Sequence, residues 1–455
     1  MSQSPTAPLG QKDRIELIDI IRGVALLGIL MMNIPYFANP VQYEDNPTIT
    51  NFSGINYTTW WTVNGLFEGT MRGLFTILFG AGSLLLLTRL ESKSNGMAAD
   101  IYYRRLLWLL LFGMINAYVL LWPGDILYSY AICGLFLYPF RNMKTKSLFT
   151  IGICLLLLTT AKDTWKLYET KALRVNGEKA LALEASRQKL TPEQEEARAA
   201  WTEAKEKNDP KALKKEAAAE IKKMQQGYSG IFSHFRNINF WIQTQMFYRI
   251  YFLDIMLLLF LGMALFKSGI VTGMRSKKFY WGLMSLGYGA GLVTSYLFLQ
   301  SHVANGFDQS RYADATVIDL YQVKRILLTL GHLSFLVLLY KYKVLMFLLQ
   351  WLKKVGQMAF TNYLMQSIIC SIIFYGYGFK LFGKLEIHQE YYVVFAVWAF
   401  QIVFSNVWLR YYRFGPFEWL WRSLTYWEKQ PFKKGEDKIE SNQKIPSEPA
   451  IASIA

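Results

Sequence analysis

Polar residues interrupt this chain too rarely for it to wrap one core in a water-facing surface. About ten apolar stretches, each near the length that a helix needs to cross a bilayer, run from Leu17 to Leu409. They are Leu17–Phe37, Leu66–Leu87, Leu106–Leu121, Ile126–Phe140, Leu148–Ala161, Phe247–Phe266, Phe279–Leu299, Leu320–Tyr340, Val355–Phe379 and Tyr391–Leu409. In hydrocarbon every backbone N–H and C=O must be satisfied within the protein, and a helix does this inside one segment. Apolar residues make up 53% and aromatic residues 16% of the 455, richer than an ordinary soluble domain. The expected fold is all-α, a polytopic transmembrane bundle of about ten spans with an external helical insert.

The net charge of +16 is explained by where it sits. Arg89, Lys93, Arg104 and Arg105 lie between the second and third spans, and Arg141, Lys144 and Lys146 between the fourth and fifth. Lys267, Arg275, Lys277 and Lys278 follow the sixth span, Lys341, Lys343, Lys353 and Lys354 the eighth, and Arg410, Arg413, Lys433 and Lys434 the last. With ten spans all these loops share one side, so the positive-inside rule puts them and both termini in the cytoplasm of a bacterial inner membrane. The lipid bilayer is the expected partner. No basic groove or stacking motif accompanies the charge, so no nucleic acid is expected. Cys133, Cys154 and Cys370 sit inside apolar runs without metal or disulfide spacing, and no metal is expected.

The segments expected are a disordered N-terminus at 1–13, helices one to five over 14–162, and an external charged insert at 163–240. Helices six to ten follow over 241–410, then an interfacial aromatic and basic stretch at 411–432 and a disordered cytoplasmic tail at 433–455. Within the insert, Thr191-Pro192-Glu193-Gln194 is a helix-start signature. Two or three solvated helices are expected there. Their charges read as a wet surface, or alternatively as a docking face for an envelope partner.

Ionisable groups inside apolar spans are costly and draw attention to function. Glu68 and Arg72 stand four apart, in the order that lets them neutralise each other on one helix face. They read as a structural ion pair or as the wall of a polar cavity. Asp19 and Arg22 open the first span, where Arg22 is placed to meet lipid phosphate or to hold a phosphate bidentately. Asn33 and Asn116 near the external ends of two spans suit interhelical hydrogen bonds. Asp125, in the turn Trp122-Pro123-Gly124-Asp125, either caps the fourth helix or stands at the mouth of an external cavity. Asp254 has no basic residue one turn away, so it needs an interior partner or a proton. His332 reads first as a hydrogen-bonded packing residue. No Ser-His-Asp order, HExxH or P-loop motif is present.

Several strings together resemble one family. They are Ile18-Asp19-Ile20-Ile21-Arg22-Gly23, Leu78-Phe79-Gly80-Ala81-Gly82, Gly124-Asp125-Ile126-Leu127, Gly356-Gln357-Met358-Ala359-Phe360-Thr361-Asn362-Tyr363-Leu364 with Gln366, and Phe414–Tyr426. They resemble the YeiB-like bacterial membrane proteins, also called domain-of-unknown-function family 418. That family is distantly similar to transmembrane acyltransferases, including the lysosomal enzyme that acetylates heparan glucosamine. The resemblance implies a cytoplasmic acyl-CoA as co-substrate and a small hydroxyl or amine acceptor reached from the other side. It would place the donor's phosphates on Arg22 with Arg104 or Arg105. The acceptor path would be lined by Asn33, Arg72, Asn116, Asp254, Asn362 and Gln366, with Glu68 or Asp125 as general base. Asn33 matches the asparagine that ends the first helix of the heparan-type enzymes. Their catalytic histidine has no counterpart in Ala38–Trp61, where Glu44 and Asp45 are the carboxylates. The alternative is a transporter of a small polar or amphipathic solute, with Asp254 and the Glu68–Arg72 pair in its pathway. A scaffold that recruits an envelope partner through the insert is a third reading.

Overall fold

The computed structural model describes residues 15–93 and 96–434. Of the expected disordered segments, 1–13 and residues 435–455 of the tail lie outside the described residues, whereas Lys433 and Lys434, expected in the tail, are described and bonded back to the end of α17. Everything described is helix, turn or loop, apart from one isolated antiparallel bridge between Tyr412 and Lys433.

Helix α1 (Glu16–Ala38) leads through the short α2 (Val41–Asp45) to α3 (Gly54–Phe67) and α4 (Thr70–Lys93). Next come α5 (Ala98–Tyr118), α6 (Leu127–Leu135) and α7 (Thr145–Ala185). The insert holds α8 (Pro192–Lys207), α9 (Pro210–Met224) and α10 (Tyr228–Trp241). A ten-residue π-helix, Ile242–Tyr251, joins α10 to α11 (Phe252–Lys267). The remainder is α12 (Lys277–Ala304), α13 (Gln309–Ala315), α14 (Tyr321–Lys341), α15 (Met346–Gln357), α16 (Ala359–Phe374), α17 (Ile387–Tyr411) and α18 (Pro416–Tyr426).

Among the described residues, seven helical stretches are long and apolar enough to cross a membrane: Glu16–Ala38, Gly54–Ser92, Thr145–Ala185, Tyr228–Lys267, Lys277–Ala304, Tyr321–Lys341 and Ile387–Tyr411. The chain is a polytopic helical membrane protein. Three other expected spans take different forms. Helix α5 carries Asp100, Arg104 and Arg105, α6 has nine residues and α16 has sixteen. On the outer helices, large apolar side chains such as Leu157, Val293 and Leu297 face away from the bundle, as contact with lipid tails requires.

The second expected span is broken where it had been read as continuous. Between α3 and α4, Gly69 adopts a φ of +74°, a conformation that favours glycine. A Cβ there would also lie 2.8 Å from the Tyr321 hydroxyl and from Arg325 Cδ. Glu68 therefore sits in a turn, out of helical register with Arg72. Farther along, α4 crosses α11 closely. A Cβ on Gly80 would stand 2.4 Å from the Leu259 carbonyl, and one on Gly262 would stand 2.2 Å from that of Ile77. Leu74, Ile77, Leu257 and Leu258 fill the contact and are all buried.

The insert is more than a solvated hairpin. Helix α7 has 41 residues, about 60 Å of continuous helix, and carries the chain from the bundle into the insert. Helix α8 starts with the expected capping box, Thr191 and Gln194 serving each other's backbone. Its Trp201 packs onto Gly177 of α7. Helix α9 buries Leu213, Ala217 and Met224, and Gly376 N–H donates to the Met224 carbonyl at 2.8 Å. One face of the insert is thus docked, while most of its lysines and glutamates stay exposed.

Candidate functional site

Two ends of the bundle are distinguished by their loops: a basic end, where α1 begins and α18 lies, and an insert end. Toward the insert end, charged side chains from four elements meet. Asp254, in the first turn of α11, takes a bidentate ion pair from Arg325 of α14, Nη1 to Oδ2 at 2.8 Å with Nη2 on Oδ1. Arg72 of α4 adds a contact at 3.4 Å. Lys324 Nζ meets Glu68 Oε2 at 2.5 Å. Lys324 and Arg325 are 1% and 0% exposed, so each needs its carboxylate.

The expected Glu68–Arg72 pair is therefore not formed. The turn at Gly69 sends Glu68 to Lys324, and Arg72 joins Asp254 instead. Asp254 has the interior partner it was expected to need. Lys324 and Arg325 were missed because they lie inside the apolar run Leu320–Tyr340. Two consecutive basic residues in such a run were the available signal. His332 is a packing residue: Nδ1 meets the Tyr288 hydroxyl at 2.9 Å and Nε2 the Leu66 carbonyl at 2.8 Å.

A cavity of about 250 Å³ extends from the basic end into the bundle, bounded by α1, α4, α5, α6, α16, α18 and the end of α15. Arg22, Arg89, Arg105 and Arg422 lie around its basic-end portion, with Asp19 and Glu418. Leu78, Phe79, Leu106 and Leu109 form an apolar wall, and Ile126, Tyr130 and Tyr363 also border it. Arg22 pairs with Asp19 at 2.9 Å. Arg105 stacks on Trp421, 3.7 Å from guanidinium carbon to ring centroid, and makes no ion pair among the described residues. Its charge keeps its capacity for an anion.

The same cavity contains a helix start. At Met358 the chain breaks between α15 and α16, and α18 supplies the cap. Glu418 Oε1 accepts from Phe360 N–H at 2.7 Å and Thr361 N–H at 3.0 Å, while the Thr361 hydroxyl meets Oε2 at 2.5 Å. These are the amides that a helix N-terminus leaves unpaired.

Behind Tyr363, in the turn between α5 and α6, lies Asp125. Its Oδ1 accepts from Asn116 Nδ2 at 2.7 Å and from the Tyr363 hydroxyl at 3.3 Å. Its Oδ2 accepts from Tyr128 N–H at 2.9 Å, capping the first turn of α6 as expected. Burial pushes its carboxyl up to about 7, against the opposing pull of these hydrogen bonds. The cavity beside it reaches the basic end, whereas the expected one was to open externally.

Of the expected site residues, Arg22 and Arg105 line the cavity, and Asp125 with Asn116 stands one hydrogen bond behind it. Arg104 does not line it: it pairs with Asp100 one turn earlier and lies over Trp427. Glu68, Arg72 and Asp254 form the separate network. Tyr130 joins the two regions, its hydroxyl 2.5 Å from Thr76 Oγ1 and 3.5 Å from the Arg72 carbonyl. Asn362 and Gln366 belong to a buried amide ladder between α16 and α17. Asn362 Nδ2 donates to Ser405 Oγ at 2.9 Å, Gln401 Nε2 to the Asn362 carbonyl at 2.7 Å, and Gln366 Nε2 to Gln401 Oε1 at 3.0 Å. Asn33 is half-buried and makes no side-chain hydrogen bond among the described residues. Arg422, Glu418 and Tyr363 lay within the quoted family strings without being singled out.

Residues 265–428 match the family described as "Protein of unknown function (DUF418)". The chain is 30% identical to "Uncharacterized protein YxaH" of Bacillus subtilis, over 95% of its length and 99% of that protein. It is also 30% identical to "Uncharacterized protein YeiB" of Escherichia coli, over 91% of this chain and 96% of that one. A Bacillus acidopullulyticus protein, "Uncharacterized 39.9 kDa protein in amylase 3'region", is 27% identical over 93% and 97%. No solved structure matches. With cavity and ion-pair network carried on one helical bundle, and with likeness running almost end to end, the chain belongs to the YeiB-like family of bacterial membrane proteins, DUF418.

Proposed function

We propose that the protein transfers an acyl group from a cytoplasmic acyl-CoA to a hydroxyl or amine acceptor within the membrane. The reading takes ten crossings in the inner membrane, α5, α6 and α16 completing the seven long helices. Both termini and the basic end are then cytoplasmic, and the insert is external. One observation carries it: the cavity joins an arginine-bordered basic end to an apolar wall and to a buried carboxyl behind Tyr363. About 250 Å³ falls below the range of pockets that enclose a drug-sized ligand, so it suits the acyl-thioester arm of the donor. The nucleotide would remain at the rim, with its phosphates on Arg22 and Arg105. The acceptor oxygen or nitrogen would attack the thioester carbonyl and pass its proton through the Tyr363 hydroxyl to Asp125, and the departing thiolate would take that proton back to leave as free CoA.

Arg104 and Glu68, read first as donor-binding and catalytic residues, have no part in this scheme. The test is the purified protein in nanodiscs with radiolabelled acyl-CoA and a panel of sugars and amines. Acyl transfer or acyl-CoA hydrolysis is expected, and it falls in Asp125→Asn. Absence of both, with no measurable CoA binding, removes the reading.

Carriage of a small polar or amphipathic solute has support of its own in the buried Asp254–Arg325–Arg72 cluster, since intramembrane charges also mark transport routes. Solute flux in proteoliposomes that is lost in Asp254→Asn, without acyl transfer, would favour it. An envelope partner at the exposed face of α8 and α9 is compatible with either activity.

A further inference from the structure

At the insert end, away from the cavity, three elements bring hydrogen-bond acceptors together without matching donors. Asn39 ends α1, Glu44 lies on α2, and Glu390 stands in the first turn of α17. The chain is pinned here, because Gly383 N–H, just before α17, donates to the Ala38 carbonyl at 2.7 Å. Glu390 is 1% exposed and Asn39 is 5% exposed. Asn39 Nδ2 donates to Glu390 Oε1, and among the described residues that is the one side-chain donor to either residue. Glu390 Oε2 and Asn39 Oδ1 are buried and have no partner.

Glu44 is near enough to Glu390 for their charges to interact, and Asp45 stands beside Glu44. Among the described residues, none of Glu44, Asp45 or Glu390 makes an ion pair with a lysine, arginine or histidine. Burial, and then Asp45, pushes the Glu44 carboxyl up to about 7, the response of a carboxylate that lacks a positive neighbour.

Buried acceptors left unpaired are rare, and each calls for an explanation. The Glu390–Asn39 hydrogen bond leaves one oxygen of each residue unused, with a second carboxylate at their rim. What the group lacks is positive charge. The start of α17 favours an anion at Glu390, which makes ionisation and then capture of a cation easier. No three His, Cys, Asp or Glu side chains converge among the described residues as a multivalent metal site demands. Two carboxylates and an amide oxygen suit a hard ion of single charge. We propose that Asn39, Glu44 and Glu390 form a binding site for a monovalent cation, an alkali ion or the ammonium group of a small amine.

Glu44 is half-buried, so a cation reaches the site from the insert face past its carboxylate. The site is independent of what the arginine-bordered cavity does. It gives the two ends of the bundle opposite preferences, anions at the basic end and cations at the insert end.

The test uses the full-length protein in nanodiscs at pH 8, with N-methylglucamine, too bulky for the site, holding the ionic strength constant. Sodium, potassium and methylammonium are each titrated while thermal unfolding is followed. The expected result is a saturable rise in the unfolding midpoint with at least one of the three. A response confined to methylammonium assigns an amine; a response to sodium or potassium assigns an alkali ion. Glu390→Gln should abolish the rise. Glu44→Gln, at the rim where folding is least exposed to change, should raise the half-saturating concentration at least tenfold. No cation-specific rise in the wild type, or an undiminished rise in both variants, overturns the proposal. So does an infrared band of a protonated carboxyl that is lost in Glu390→Gln and insensitive to every cation, since a proton then occupies the site.

Discussion

The ion-pair network and the arginine-bordered cavity bury the same kind of side chain to different ends. Around Asp254 the charges answer one another: Arg325 is bidentate, Arg72 is a second contact, and Lys324 has Glu68. Around the cavity, Arg105 has an indole beneath it and, among the described residues, no carboxylate partner. The first arrangement closes on itself and joins helices. The second leaves electrostatic capacity unspent beside a space. Burial of a charge alone therefore does not mark a ligand site; what sets Arg105 apart is a charge at a cavity wall with no ion pair among the described residues.

Four substitutions break or sharpen this contrast. The largest effect is expected from Asp254→Ala, which leaves Arg325 buried without its carboxylate and should cost about 3–5 kcal/mol of stability. Recovery of monodisperse protein after detergent extraction and its unfolding midpoint measure this. A wild-type midpoint would mean that the network is not closed. Next is Asp125→Asn, for which loss of a general base predicts a fall of about 10²-fold or more in turnover. In the wild type the carboxyl is pushed up to about 7, and only its ionised form accepts a proton, so the rate should rise with pH through 7 and level off above it. A pH–rate profile of unchanged shape in the variant would exclude Asp125 as the base.

Arg105→Ala should leave folding nearly intact, since a cation–π contact contributes about 0.5–2 kcal/mol, yet raise the KM for an acyl-CoA about tenfold. An unchanged KM would place the donor elsewhere. The smallest effect belongs to Arg104→Ala. This residue pairs one turn away with the exposed Asp100, worth at most about 0.5 kcal/mol, and neither KM nor the midpoint should move measurably.

Much of the framework was legible because its signals are local. Apolar runs of span length became helices, and Thr191 with Gln194 capped α8 in the manner their spacing dictates. Asp125 was legible as a cap by its place after Pro123-Gly124, and Arg22 and Arg105 by their position at the edges of apolar runs. The partners of Asp254 were not, because tertiary contacts between α4, α11 and α14 decide them. A helical reading of Leu66–Leu87 puts Glu68 on the face of Arg72, and one residue at positive φ, Gly69, undoes it. Asn362 and Gln366 look like site residues in one dimension, but their amide N–H groups are engaged in the ladder with Gln401 and Ser405. Glu418 was invisible as a cap because it serves a helix more than fifty positions earlier in the chain.

That last connection ties two parts that otherwise look separable. Helix α18 borders the cavity, yet its carboxylate also holds the opening amides of α16, and its Trp421 indole donates to the Arg105 carbonyl at 2.9 Å. Peeling α18 away would strip at least five hydrogen bonds from neighbouring helices in the same motion. The floor of the chamber is thus fastened like a keystone: whatever loosens it must loosen the walls as well.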